Sequence, residues 1–162
     1  MAAHNHHGGW VILSSFIVAM MLVALPLPEW AQQLRPEWVV LVLIYWCMAL
    51  PERFGIGLSW LVGLFTDVLT GALLGQHALA YAFVAYIVIK LHKRVRVFPV
   101  WQQALLVLIL VLLSQLITLW IKGVIDRVPG SWTYWLPSFT STLIWPWIFL
   151  LMRDIRRRFR VQ

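Results

Sequence analysis

Gly63-Leu64-Phe65-Thr66-Asp67-Val68-Leu69-Thr70-Gly71-Ala72-Leu73-Leu74-Gly75 is an apolar run broken at every fourth position by a glycine or an aspartate. Residues four apart lie nearly above one another on a helix, so Gly63, Asp67, Gly71 and Gly75 form one stripe, which Gly55 or Ser59 extends. In lipid two helices gain nothing from hydrophobic exclusion, and small residues that let backbones approach supply the association. The stripe therefore reads as the packing face of a membrane helix. Asp67 stands in its middle, where a carboxylate costs at least about 2.5–3.5 kcal/mol on insertion scales unless something answers it. Three answers are open: a protonatable or ion-binding station in a transport path, an acceptor of hydrogen bonds from neighbouring helices that fixes the fold, or a group that meets a partner protein. A relay needs several stations, and only one is clear here, with His77 near the outer end.

The rest of the chain is of the same kind. Of 162 residues, 62% are hydrophobic and 12% charged, a composition far more apolar than that of a soluble domain. A crossing needs about 20 apolar residues, so there is room for roughly six short crossings and little else. The segments are 10–25, stopped by Pro26 and Pro28; 37–50, introduced by Arg35-Pro36; 54–74; 77–91; 101–124, behind Pro99; and 134–152, after a polar linker at 126–131. Several fall short of 20 residues, which implies tilting or local thinning of the bilayer. The first segment lacks a basic flank and a small-x-small cleavage site, so it reads as a retained helix. Cys47 alone supports neither a disulfide nor a thiolate cluster. His4, His6 and His7 stand in a tail without a second shell to orient them, and no metal site is expected there. The expected fold is thus all-α, a single polytopic domain over 1–162 with about six transmembrane helices.

Charge sets the orientation. The net charge of +7 is unevenly spread. Six crossings collect Arg53, the Lys90/Lys93/Arg94/Arg96 group and Arg153/Arg156/Arg157/Arg158/Arg160 on one side, leaving Arg35, Lys122 and Arg127 on the other. By the positive-inside rule the first side is cytoplasmic, with a short tail at 1–9 and a basic tail at 153–162. Five crossings would place the N-terminus outside. The basic tail reads as an anchor on anionic headgroups, at roughly 1 kcal/mol per residue, and not as a nucleic-acid site.

Ser114, Thr118 and Lys122 share a stripe on the fifth segment with Gln115 beside it, and Ser138, Thr140, Ser141 and Thr142 stand at matching depth on the sixth. They line an outward-facing wet cavity or docking groove, or they make ordinary interhelical hydrogen bonds. Pro146, between Trp145 and Trp147, bends the last helix, and its tryptophans either face another helix or fill the kink. No His-Glu-x-x-His, paired nucleophile or phosphate loop occurs, so neither an enzyme nor a cofactor is expected.

Arg35-Pro36, the Gly63/Asp67/Gly71/Gly75 block running into Leu74-Gly75-Gln76-His77-Ala78-Leu79-Ala80, Trp101-Gln102-Gln103-Ala104 and the run from Trp145-Pro146-Trp147 through Met152-Arg153 together resemble the rod shape-determining MreD family, over the whole chain. The resemblance implies a non-enzymatic inner-membrane scaffold of cell-wall elongation. It would bind MreC, a bitopic protein with a periplasmic domain, and help couple cytoplasmic MreB filaments to the RodA glycosyltransferase and its class B penicillin-binding partner. Arg35, Gly63, Asp67, Gly71, Gly75, Gln115, Lys122 and Pro146 are its candidate packing or partner-binding positions. The family is also similar in fold to the six-helix substrate-binding subunits of energy-coupling-factor vitamin transporters, and such a subunit is the alternative function. Those subunits dock through a small-x-x-x-small face on the first helix, for which only Ser15/Ala19 is available here. The histidine-rich, non-basic N-terminus departs from the family.

Overall fold

Proline and glycine punctuate the chain where the composition changes, and helices fill the intervals. The computed structural model describes residues 9–32, 34–51, 54–71, 74–124 and 132–159. His4, His6 and His7, Arg53, the linker at 126–131 with Arg127, and Arg160 lie outside the described residues. Among the described residues every regular element is helical. The α-helices are α1 (Gly9–Ala24), α2 (Glu29–Gln32), α3 (Trp38–Ala49), α4 (Ile56–Thr70), α5 (Gln76–Val95), α6 (Val100–Val124) and α7 (Leu136–Arg158), with a 3-10 turn at Trp132–Trp135 before α7. The single turn α2 lies between the first two apolar segments; it starts where the Ala31 amide donates to the Pro28 carbonyl at 2.9 Å.

The main departure from the sequence reading falls on the glycine stripe. The third segment was expected to run to 74, but α4 stops at Thr70 because Gly71 adopts φ 70°, with its amide donating to the Asp67 carbonyl. A left-handed residue ends a helix, and glycine takes that conformation without a Cβ penalty. Gly75, at φ 102°, then sets the start of α5. Gly63 and Asp67 share a helix face, whereas Gly71 and Gly75 shape the turn. The expectation that Gly71 and Gly75 belong to a packed helix face is corrected accordingly: a Cβ at either meets open space, and the penalty for a side chain lies in the backbone. At the other boundaries α5 continues to Val95, past the expected 91, and α7 to Arg158, so most of the expected basic tail is helix. Basic side chains in a last turn complement the negative end of the helix dipole, which favours both extensions.

The bundle is built around α3, whose side chains from Val39 to Ala49 are all buried. It packs against α1, α5, α7 and the edge of α6, while α4 and α5 form the closest pair and α1 leans on α4. Apart from the single turn α2, the helices run alternately between two ends. At one end the Trp10 ring meets Phe159 edge-on at 5.0 Å, and Arg96 reaches the last carbonyls of α3. At the other lie the α4–α5 turn and the start of α3, where the Glu37 amide donates to Ser141 Oγ at 2.9 Å.

Polar and apolar groups are mixed in both the interior and the surface. Ser59, Thr66, Asp67, Gln103, Gln115, Ser138 and Ser141 are inside, while Phe65, Val68, Ile109, Trp120, Leu143 and Trp147 are exposed. By length and composition α6 is the one described helix able to cross a membrane; α1, α3 and α4 are apolar but shorter. The 12 residues of α3 extend only about 18 Å.

Candidate site at the α4–α5 turn and its polar neighbours

Gly63 brings α4 against the start of α5. A Cβ there would stand 2.3 Å from Ala78 Cα and 2.5 Å from Ala78 N, both backbone atoms that cannot step aside. One turn further on, Asp67 is fully buried, and its answer comes from the opening of α5. Oδ2 accepts the Gly75 amide at 2.9 Å and the Ala78 amide at 3.4 Å; Oδ1 accepts the His77 amide at 2.8 Å. His77 Nδ1 lies 2.7 Å from the same Oδ1, so the imidazole donates to the carboxylate. The first turn of any helix has amides without intrahelical partners and a partial positive charge. The residue at the N-cap position of α5 is Gly75, which has no side chain for this task. Asp67 performs it from the preceding helix. Of the three readings, the geometry supports the structural one: the carboxylate is enclosed by its own hairpin and spends its acceptors on backbone amides. The donors are amides and one imidazole, all from the start of α5.

Arg35 closes a different helix end. Its Nη1 donates to the Val23 carbonyl and its Nη2 to the Leu25 carbonyl at 2.5 Å, so it caps the C-terminus of α1 and ties the α1–α3 connection to it. Gln115 and Lys122 do converge, on Tyr134. Gln115 Nε2 donates to the Tyr134 carbonyl at 3.1 Å, the Tyr134 hydroxyl donates to the Gln115 carbonyl at 3.0 Å and lies 2.8 Å from Thr118 Oγ1, and Lys122 Nζ stands 5.2 Å from the ring centroid. Lys122 and His77 are also within electrostatic reach of Glu37. The polar half of α6 is thus filled by an aromatic side chain from the turn before α7. On α7, Ser138, Thr140 and Thr142 bond back to carbonyls of their own turn, and Ser141 serves Glu37. Each of these four hydroxyls is thereby engaged in a hydrogen bond within the bundle. Pro146 lies inside α7 and divides its two tryptophans: Trp145 is fully buried with its ring 6.0 Å from Phe149, and Trp147 faces outward.

The structure therefore gathers Gly63, Asp67 and Gly75 at one turn, with Gly71 ending the helix beside them. It gathers Gln115 and Lys122 at another site and leaves Arg35 and Pro146 apart. Sequence reasoning did not assign the partner role of His77, the bridging role of Tyr134, or the capping of α3 by Arg96. An acid and a histidine flanking a glycine-bounded turn is a usable signal for the first; the other two depend on contacts between segments. The Ser15/Ala19 face is occupied inside the chain: Trp46 Nε1 donates to Ser15 Oγ at 2.9 Å, and Ala19 is buried. Among the described residues no group of three or more His, Cys, Asp or Glu side chains is arranged to hold a metal ion.

Comparison with known proteins identifies similar chains. The family model described as rod shape-determining protein MreD matches residues 5–155. A rod shape-determining protein MreD from Haemophilus influenzae (strain ATCC 51907 / DSM 11121 / KW20 / Rd) is 40% identical over 152 residues, which cover 94% of each chain. No solved structure matches.

Proposed function

The chain belongs to the MreD family of rod shape-determining proteins, and from that premise we propose that it is a non-enzymatic scaffold in the bacterial inner membrane that binds MreC. Through MreC it would help couple MreB filaments to the RodA synthase and its class B penicillin-binding partner. The observation that carries this reading is how the buried polar groups are used. Asp67, Arg35, Gln115 and Ser141 each hold a helix end or a turn, while the outward faces of α1, α4, α6 and α7 carry large apolar side chains. A platform for another protein's membrane anchor needs a rigid interior and an apolar exterior recognised by shape. We propose six crossings: α1, α3, α4, α5, α6 and α7. Their alternation, the Trp10–Phe159 contact and the meeting of Arg96 with the end of α3 support an even number, with both termini and the dense basic groups cytoplasmic. The short α3, enclosed by longer helices, needs no lipid-facing length of its own. No observation favours the vitamin-transporter alternative, since the first-helix face such a subunit would present is covered by α3.

The test is co-purification in mild detergent of tagged chain with MreC, followed by mass spectrometry of bound proteins and small molecules. MreC recovered in stable proportion is the expected result. Absence of MreC, or recovery of an ATP-hydrolysing transporter module with a vitamin-sized molecule, overturns the reading.

A further inference from the structure

A short helix surrounded by longer ones leaves a hollow where it stops. At about 1.5 Å per residue, the 23 residues of α7 and 25 of α6 outrun the 12 of α3. The space beyond Ala49 is a cavity of about 680 Å³. Its floor is the last turn of α3, where Arg96 Nε donates to the Met48 carbonyl at 3.0 Å and Nη2 to the Ala49 carbonyl at 2.8 Å. Those bonds offset the negative end of the α3 dipole, which would otherwise repel an anion. Arg153, Arg156 and Arg157 stand along its α7 wall, with Arg153 stacked at 5.8 Å on Phe149. No carboxylate lines the cavity or pairs with these three arginines among the described residues; Asp154 is exposed and pairs with Arg158. Gln103, 2% exposed, also lines it, and its Oε1 is buried with no hydrogen-bond partner, while Nε2 is held by the Val95 carbonyl at 3.0 Å.

From this geometry we infer that the hollow binds the phosphate headgroup of one anionic phospholipid. Guanidinium groups match phosphate oxygens in a bidentate geometry. The apolar part of the lining, Tyr45, Met48 and Phe149, indicates a lipid and not a soluble phosphate. On α7 the sequence passes directly from Phe149-Leu150-Leu151-Met152 to Arg153, which sets the mouth of the cavity where acyl chains give way to headgroups. The inference needs only that the bundle lies in a membrane, so failure of MreC binding would leave it standing.

The experiment is native mass spectrometry of the full chain in mild detergent, with phosphatidylglycerol, phosphatidylethanolamine, phosphatidic acid or inorganic phosphate added. Phosphatidylglycerol should be retained about tenfold over phosphatidylethanolamine, and Arg156→Gln should abolish that preference. Arg158→Gln, which removes the same charge outside the cavity, should keep it. Phosphatidic acid, which presents the same phosphate to the same arginines, should likewise be retained over phosphatidylethanolamine. A thermal upshift of the unsubstituted protein with phosphatidylglycerol and not with phosphatidylethanolamine supports the site without any variant. Equal losses in Arg156→Gln and Arg158→Gln would reduce the effect to diffuse surface charge and overturn the inference. So would displacement of the lipid by millimolar inorganic phosphate, which would mark a free-anion site, or the absence of any lipid preference.

Discussion

Two glycines a few residues apart have opposite reasons for being glycine. Gly63 lacks a Cβ because the backbone of α5 occupies its place, so Gly63→Ala must push α4 and α5 apart. The cost should be about 2–3 kcal/mol or more, read as lowered thermal stability in detergent. At Gly71 there is room for a side chain but φ is positive, so Gly71→Ala should cost about 1–2 kcal/mol. Gly55→Ala, with free space and an ordinary backbone, should stay within about 0.5 kcal/mol. Equal melting points for the three variants would refute this assignment. Asp67 is a different case, because removing it strands several donors at once. Hydrogen bonds to a charged acceptor contribute about 1.5–3 kcal/mol each, so Asp67→Leu should be among the most damaging changes in the chain. Asp67→Asn, which keeps one acceptor oxygen, should lie between Leu and the native residue. The same order must appear in folded yield without MreC present, since the role assigned to Asp67 is internal.

At the scale of elements, helix ends are held by side chains borrowed from elsewhere. Arg35 closes α1, Asp67 opens α5 and Arg96 closes α3, each from another segment. In a membrane this is economical, because an unpaired backbone group within lipid costs several kcal/mol. Replacing Arg96 by Met should therefore destabilise by about 2–3 kcal/mol, and amide hydrogen exchange should show loosening concentrated in the last turn of α3. Uniform loosening across the bundle would contradict a local cap. Tyr134→Phe keeps the ring over Lys122 and removes only the hydroxyl that joins Thr118 and Gln115, for an expected loss of about 1 kcal/mol. The elements themselves were legible in the sequence, because prolines at 26, 28 and 99 and the long apolar runs mark their limits. Their ends at 70 and 95 were not. A glycine inside an apolar run reads equally as a packing position or a helix stop, and only the fold of the turn decides between them.

For the molecule as a whole, the arrangement predicts sidedness. In a Cys47→Ser background, Leu34→Cys should react with a membrane-impermeant thiol reagent from the periplasmic side, and Phe159→Cys only after the membrane is permeabilised. The reverse pattern would invert the proposed topology. Cys47 itself, buried and 3.7 Å from Ser59 Oγ, should resist the reagent in the folded protein.

Composition and patterning by themselves pointed to an all-helical, lipid-compatible protein, and every regular element among the described residues is a helix. Those properties follow from which residues are present and how they recur along one helix. The four-residue spacing around Asp67 drew attention to the stretch where α4 meets α5, and family motifs named the chain's class. What only the tertiary structure decided is which group answers which. Asp67 and the amides of α5 meet because Gly71 and Gly75 turn the chain back. Tyr134 fills the polar face of α6 because α7 folds beside it. The arginines gather over the end of α3 because that helix is shorter than its neighbours. A sequence read along one axis carries periodicity, but pairing between segments depends on lengths, turns and depths that become fixed only when the helices pack together.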